Sequence, residues 1–267
     1  MHYPSGKTHL YAILAHPVAH VRASEFFGPI IEAEKRDAFV VPLHVLPGDL
    51  VEMVPMLQKI GNLKGLILTI PHKEAMARLC SEMGPNGHLA DAVNTVRFEE
   101  DGRLVGDHFD GTGFVSAARA HGIEPKGARV LMLGAGGAAR AIAIALADEG
   151  AAKITIANRT EARAKDLAAV VQTVFEEIEV TVGPADAAGH DLVVNCTSLG
   201  LKPGDPMPMD PASLTPGMRY IDIIAPRDTE LMEAARAAGL QTVVGGRPMV
   251  EHQVVAQLNF LGAPRIA

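Results

Sequence analysis

The chain has 267 residues, 48% of them hydrophobic and 21% charged, with a formal net charge of −7. That length suits one large domain or two moderate ones, and an acidic balance with no basic run excludes a nucleic-acid surface. Cys80 and Cys196 show no metal-ligand spacing, the N-terminus lacks a signal-peptide core, and no apolar run reaches membrane-spanning length, so a reduced, cytoplasmic protein with no membrane span is expected.

From the N-terminus, HLYAILA (9–15), AFVVPLHVL (38–46) and GLILTI (65–70) read as buried strands. SEFFGPIIEAEKR (24–36) and GDLVEMVPMLQKIG (48–61) read as the helices between them. The alternation implies βαβ units and a largely parallel sheet. NTVRFE (94–99) and RLVGDH (103–108) flank an Asp-Gly turn signal and read as a hairpin, and TGFVSAARAHG (112–122) as a helix ended by glycine. A second series follows, with strands at 129–134, 153–158, 178–183, 191–196, 219–224 and 241–246. Its helices are expected at 137–150, 161–175 and 229–239, with a last one near 248–262, and the proline-rich stretch 201–218 as a long loop. The fold class is α/β with two domains: residues 1–111, a Rossmann-type domain at 112–246, and a terminal helix at 247–267 packing back on the first.

Four stretches carry chemistry. AHPVAHVRASEFF (15–27) places His16, His20 and Arg22 within seven positions after the first strand. Either a solvated loop or a pocket for an anion accounts for it. In PHKEAM, Pro71 suits the first helical position and Lys73 falls in the first turn, where the helix dipole disfavours a cation. Dipole and partial burial would lower its pKa, which makes Lys73 a functional candidate; a surface lysine is the plain alternative. Further on come Asn94, then Asp107, His108 and Asp110 in GDHFDGTGF. Asp110 is placed to be either a cleft residue or the N-cap of the next helix.

The fourth stretch is the strand-to-helix turn Gly134, Ala135, Gly136, Gly137 and Ala138 in LGAGGAARA. Glycines let the backbone approach a pyrophosphate, and the helix start offers free N–H groups. The next strand ends in ANRTEAR, with no acidic residue at 158 to hold a ribose hydroxyl. Asn158, Arg159, Thr160 and Arg163 stand there instead, and a guanidinium matches a 2′-phosphate, which favours NADP, with NAD as the alternative. Thr197, after the strand 191–196, is taken as a further cofactor contact.

Together these pieces resemble the shikimate and quinate dehydrogenase family. LTIPHK, DAVNTV, GDHFDGTGF, LGAGGAARA, NRTEAR and GGRPMVEHQ are similar to its motifs and occur in its order over nearly the whole chain. The resemblance implies a substrate domain, a nicotinamide domain and a cleft between them. It makes Lys73 and Asp110 the catalytic pair, with Thr69, Asn94 and Gln253 as substrate contacts. It implies a small-molecule cyclic hydroxy acid as substrate and a homodimer as assembly.

The departures cluster on the substrate rim. The family's H-S-x-S-P becomes His20, Val21, Arg22, Ala23 and Ser24, so neither carboxylate-binding serine matches. Its N-V-T becomes Ile67-Leu68-Thr69, its N-T before D-G becomes His108-Phe109, and its tyrosine becomes Ala225. In the late element Arg247, Val250 and Glu251 also differ. Arg22, with His20, is expected to face the cleft and to replace two hydroxyls by a charged donor. The leading reading is an NAD(P)-dependent dehydrogenase of a shikimate-like or quinate-like hydroxy acid with a rewritten rim. The alternative is a nicotinamide- or metabolite-sensing protein that has lost turnover.

Overall fold

In the computed structural model, which describes residues 4–19, 21, 23–225 and 227–266, the first strand, β1 (His9–Ala15), is flanked in parallel by β2 (Ala38–His44) and β3 (Leu63–Leu68). The central strand β1 is buried from Tyr11 to Ala15 because both its faces are covered. Leu14, Leu66 and Leu68 pack under α2 (Leu50–Leu57). Tyr11, Ile13 and Val40 pack under α1 (Ala23–Ala33) and under Val254 and Leu258 of the last helix. Three short elements follow: α3 (Lys73–Ala77), β4 (Glu82–Met83) and α4 (Pro85–Ala90). The hairpin is β5 (Thr95–Phe98) with β6 (Leu104–Asp107), antiparallel to each other, with β5 also antiparallel to β3. The sheet order is β2-β1-β3-β5-β6-β4.

The second series begins with α5 (Asp110–Ala120), two residues earlier than the sequence suggests. Then come β7 (Arg129–Leu133), α6 (Gly137–Asp148), β8 (Lys153–Ala157), α7 (Glu161–Val174) and β9 (Glu179–Val182). The other half holds β10 (Leu192–Asn195), β11 (Arg219–Asp222), α8 (Glu230–Ala237), β12 (Thr242–Val244) and α9 (Arg247–Phe260). All pairings are parallel in the order β12-β11-β10-β7-β8-β9. The chain therefore reverses direction across the sheet between β7 and β10, the crevice where doubly wound folds take ligands.

The chain divides into two compact units, Met1–Phe109 with Gln253–Ala267, and Asp110–His252. Three side chains tie the terminal stretch into the first unit. The Tyr11 hydroxyl donates to Leu261 O (3.3 Å), Arg36 to Ala263 O (2.8 Å) and Arg97 to Phe260 O (2.8 Å). Among the described residues no helix is long and apolar enough to cross a membrane.

One glycine sets a helix contact in the second unit. A Cβ on Gly111 would lie 2.5 Å from Ala141 O and 2.8 Å from Ala145 Cβ, so α5 can approach α6 only without a side chain there. Gly111→Ala is expected to cost about 1–3 kcal/mol through overpacking. Calorimetry should show a Tm lowered by several degrees, and an unchanged Tm would mean that the two helices separate freely.

Candidate active site

In the second unit the site grows from the end of β7. Gly134 has φ +105°, and a Cβ there would come within 3.0 Å of the Cys196 carbonyl group. The turn thus needs glycine both for its conformation and for its approach to the strand beside it. Gly136 caps α6 without a side-chain hydrogen bond, Gly137 opens the helix with Ala138 behind it, and no atom lies within 4 Å of where a Cβ on Gly136 or Gly137 would sit. The backbone at this helix start is therefore left bare of packed side chains, at the positive end of the helix dipole.

Over this turn lies a cavity of about 560 Å³. Gly134, Ala135, Gly136, Asn158, Arg159 and Thr197 all line it. Asn158 donates to Thr160 O (2.8 Å) and so braces the bend before α7. Arg159 is exposed at the rim, and Glu161 in the next turn spends its carboxylate on Lys165 (2.8 Å). Thr160 caps α7 and Arg163 sits exposed in its first turn; neither lines the cavity. The strand ends Leu133 and Ala157 form its floor, and much of the remaining wall comes from loops that carry no recognisable sequence motif, among them Gly183 and Pro184 after β9, Ser198 and Leu199 after β10, and Pro208. A bare glycine turn, a helix start and an arginine rim suit a phosphorylated dinucleotide.

In the first unit the candidates gather where β3 ends. Thr69 N donates to Leu14 O (3.2 Å), and Leu68 N to Asn94 O (2.7 Å). Lys73 is half-buried as the first residue of α3, and its carbonyl accepts from Val93 N (3.1 Å). Pro71 therefore lies two residues before the helix rather than at its first position, because His72 takes the capping place. His72 itself is buried, with Nε2 2.9 Å from Val45 O, and burial holds its pKa below the ordinary histidine value.

Asn94 is buried with its side-chain orientation fixed. Its Oδ1 accepts from Phe109 N (3.0 Å) and Thr95 Oγ1 (3.0 Å), so its Nδ2 points to Gln253 Oε1 (3.3 Å). Thr69, Lys73, Asn94 and Gln253 thus belong to one connected patch of the first unit. Asp110 opens α5 at 5% exposure and belongs to the second unit. Phe109 turns inward against Phe260, with centroids 5.3 Å apart. His16 and His44 close β1 and β2 with a 2.8 Å contact between Nδ1 and Nε2. The substrate contacts expected at His20 and Arg22 lie outside the described residues.

Asp107 has no role that its sequence neighbourhood suggests, and its geometry gives it one. Its Oδ1 accepts from Gly87 N (2.7 Å) and His108 N (2.8 Å), holding α4 to the end of β6. Burial is the largest influence and pushes its carboxyl above the ordinary carboxylate range. A raised folded-state pKa means that stability is lost as pH climbs from the unfolded value, about 3.9, through the folded one. Asp107→Asn keeps an acceptor and removes the charge. It should raise Tm relative to the parent at pH 7 and lose that advantage near pH 4; an equal offset at both values would contradict the assignment.

Comparison with known proteins places these features in company. Residues 116–243 match the family model described as shikimate / quinate 5-dehydrogenase, and residues 13–96 match that of the shikimate dehydrogenase substrate binding domain. A shikimate dehydrogenase (NADP(+)) of Acidiphilium cryptum is 42% identical over 252 residues, covering 94% of this chain and 89% of its own. Among solved structures, shikimate 5-dehydrogenase of Thermus thermophilus in complex with NADP(H) and shikimate is 30% identical with a TM-score of 0.85, covering 95% of this chain and 93% of its own. The ligand-free 5-ketofructose reductase of Gluconobacter sp. strain CHM43 is 29% identical with a TM-score of 0.87, covering 98% and 96%.

Proposed function

Since the chain belongs to the shikimate and quinate dehydrogenase family, we propose that it catalyses reversible, NADP-dependent oxidation of a secondary alcohol on a shikimate-like or quinate-like cyclic hydroxy acid. The observation that carries this is the patch in the first unit. There Lys73 stands with Thr69 beside the linked carboxamides of Asn94 and Gln253, the residue types that bind a hydroxylated ring and manage its proton.

The Gly134–Ala138 turn would hold NADP, with Arg159 at its 2′-phosphate, and the bound nucleotide would supply the two-electron acceptor. The chain's own residues handle the substrate oxygen. Lys73 and Asp110 together take the hydroxyl proton as the carbonyl forms, and return it in the reverse direction. Neither is assigned alone as the base. Asn94 and Gln253 orient the ring hydroxyls, which fixes the carbinol carbon relative to the proton acceptor. Arg22, with His20, takes the carboxylate in place of the family's two serines.

The rewritten rim also favours a second substrate class. A relative of the same fold is named for 5-ketofructose, a neutral ketose, and losing two carboxylate-binding serines fits a substrate without that group. Nicotinamide turnover with shikimate, quinate, other cyclic hydroxy acids and the reduction of 5-ketofructose, each with NADP and NAD, decides among them. Turnover of none of them, with a metabolite still raising Tm, would establish a sensor instead of an enzyme.

Arg22 separates the two substrate classes directly. Arg22→Ala should raise KM for a carboxylated substrate by about tenfold or more, since a hydrogen bond to a charged group contributes about 1.5–3 kcal/mol. KM for a neutral polyol should stay put. An unchanged KM for the acid would remove Arg22 from the substrate site.

A further inference from the structure

The cavity wall after β10 is built on a buried carboxylate that does not line it. Asp222, at the end of β11, is 0% exposed and is the register partner of Asn195 at the end of β10. Its Oδ2 accepts from Asn195 Nδ2 (3.0 Å), the Tyr220 hydroxyl (2.7 Å) and the Thr229 hydroxyl (2.9 Å), and its Oδ1 accepts from Ile224 N (2.9 Å). Such a carboxylate only accepts. Asn195 must therefore turn its NH2 toward Asp222 and its carbonyl oxygen the other way.

That choice of amide direction sets the loop. Asn195 Oδ1 accepts from Thr197 N (3.0 Å) and Thr197 Oγ1 (2.7 Å), and Thr197 Oγ1 in turn accepts from Leu199 N (3.1 Å). Cys196, Thr197, Ser198 and Leu199 are consecutive wall residues of the cavity, and the Cys196 carbonyl group is what crowds the Gly134 turn. A chain of oriented hydrogen bonds thus runs from a fully buried charge to the loop facing the glycine turn.

We infer that Asp222 is a positioning residue for nucleotide binding: through Asn195 it holds Thr197 and the 196–199 loop in the shape that receives the dinucleotide. The inference rests on the NADP reading above. In Asp222→Asn, an NH2 group replaces one of the two accepting oxygens and meets a donor in either orientation. With that NH2 at the Oδ2 position it opposes the Asn195 NH2, which then keeps Leu199 O (3.3 Å) as its acceptor and no longer has the buried carboxylate behind it.

The test uses the purified full chain and NADP. Asp222→Asn and Asn195→Ala should each raise the NADP Kd by about tenfold or more, the cost of misplacing a charge-linked hydrogen-bond network. Both should speed hydrogen exchange at the Thr197 and Leu199 amides. Tyr220→Phe and Thr229→Val remove other donors from the same oxygen but leave the Asn195 link; they should lower Tm while the Kd holds. Adding Thr197→Val to Asp222→Asn should weaken binding no further, since the two lie on one path. If Asp222→Asn does not fold, Asn195→Ala decides. A folded variant of either kind with parental Kd overturns the inference, as does a Kd that follows Tm equally in all four single variants. A parental chain that binds no NADP would instead overturn the cofactor reading, and the exchange rates would still report whether Asp222 sets the loop.

Discussion

Lys73→Ala is expected to lower kcat by about 10²–10⁴-fold, the range that a positioned proton-transfer group contributes, while the Kd for NADP stays at the parental value. The split follows from where the residue lies. Lys73 belongs to the first unit, and every residue lining the nucleotide cavity belongs to the second. A parental Kd for NADP and a parental circular-dichroism spectrum separate the result from loss of folding. The Lys73 main chain, which anchors the Asn94 segment through Val93, is untouched by the substitution. Steady-state kinetics with a separate nucleotide titration reads both quantities. A parental kcat would remove Lys73 from the mechanism; a kcat loss matched by an equal loss of NADP affinity would mean that the lysine serves binding instead.

The parts of this molecule that can be read from its sequence are those whose causes are local. The inner strands β1 and β7 read as apolar runs because most of each is buried on both faces, and the glycine turn after β7 is written in consecutive residues. The segment between β3 and β5 is harder: α3 has five residues, β4 two and α4 six, too short for any periodicity to show. Pro71 misleads for a related reason, since its fixed backbone suits a first helical position but His72 intervenes as the cap. Asn195 and Asp222 are 27 residues apart, and only the parallel register of β10 and β11 makes them one object. Arg163 shows the reverse case. Its sequence spacing looks as good as that of Arg159, but it sits outside the cavity lining, because a residue one turn into α7 is carried away from the strand end that forms the rim.

That difference between the two arginines makes the cofactor prediction sharp. Arg159→Ala should raise KM for NADP by roughly ten- to hundredfold, the worth of a hydrogen-bonded charge pair at about 1.5–3 kcal/mol, and Arg163→Ala should have the smaller effect. KM for NAD should change little under either, because NAD carries no 2′-phosphate for the guanidinium to hold. Asn158 offers no compensation, since its amide is engaged with Thr160 O, and no carboxylate stands at 158 to recognise a ribose hydroxyl instead. The ratio of the two KM changes is therefore the decisive quantity. A loss confined to NADP puts the phosphate at Arg159. Equal weakening of both nucleotides would mean that Arg159 shapes the rim without touching the phosphate. High salt supplies an independent check: screening of an exposed charge pair should shrink the NADP preference of the parent and leave that of Arg159→Ala nearly unchanged.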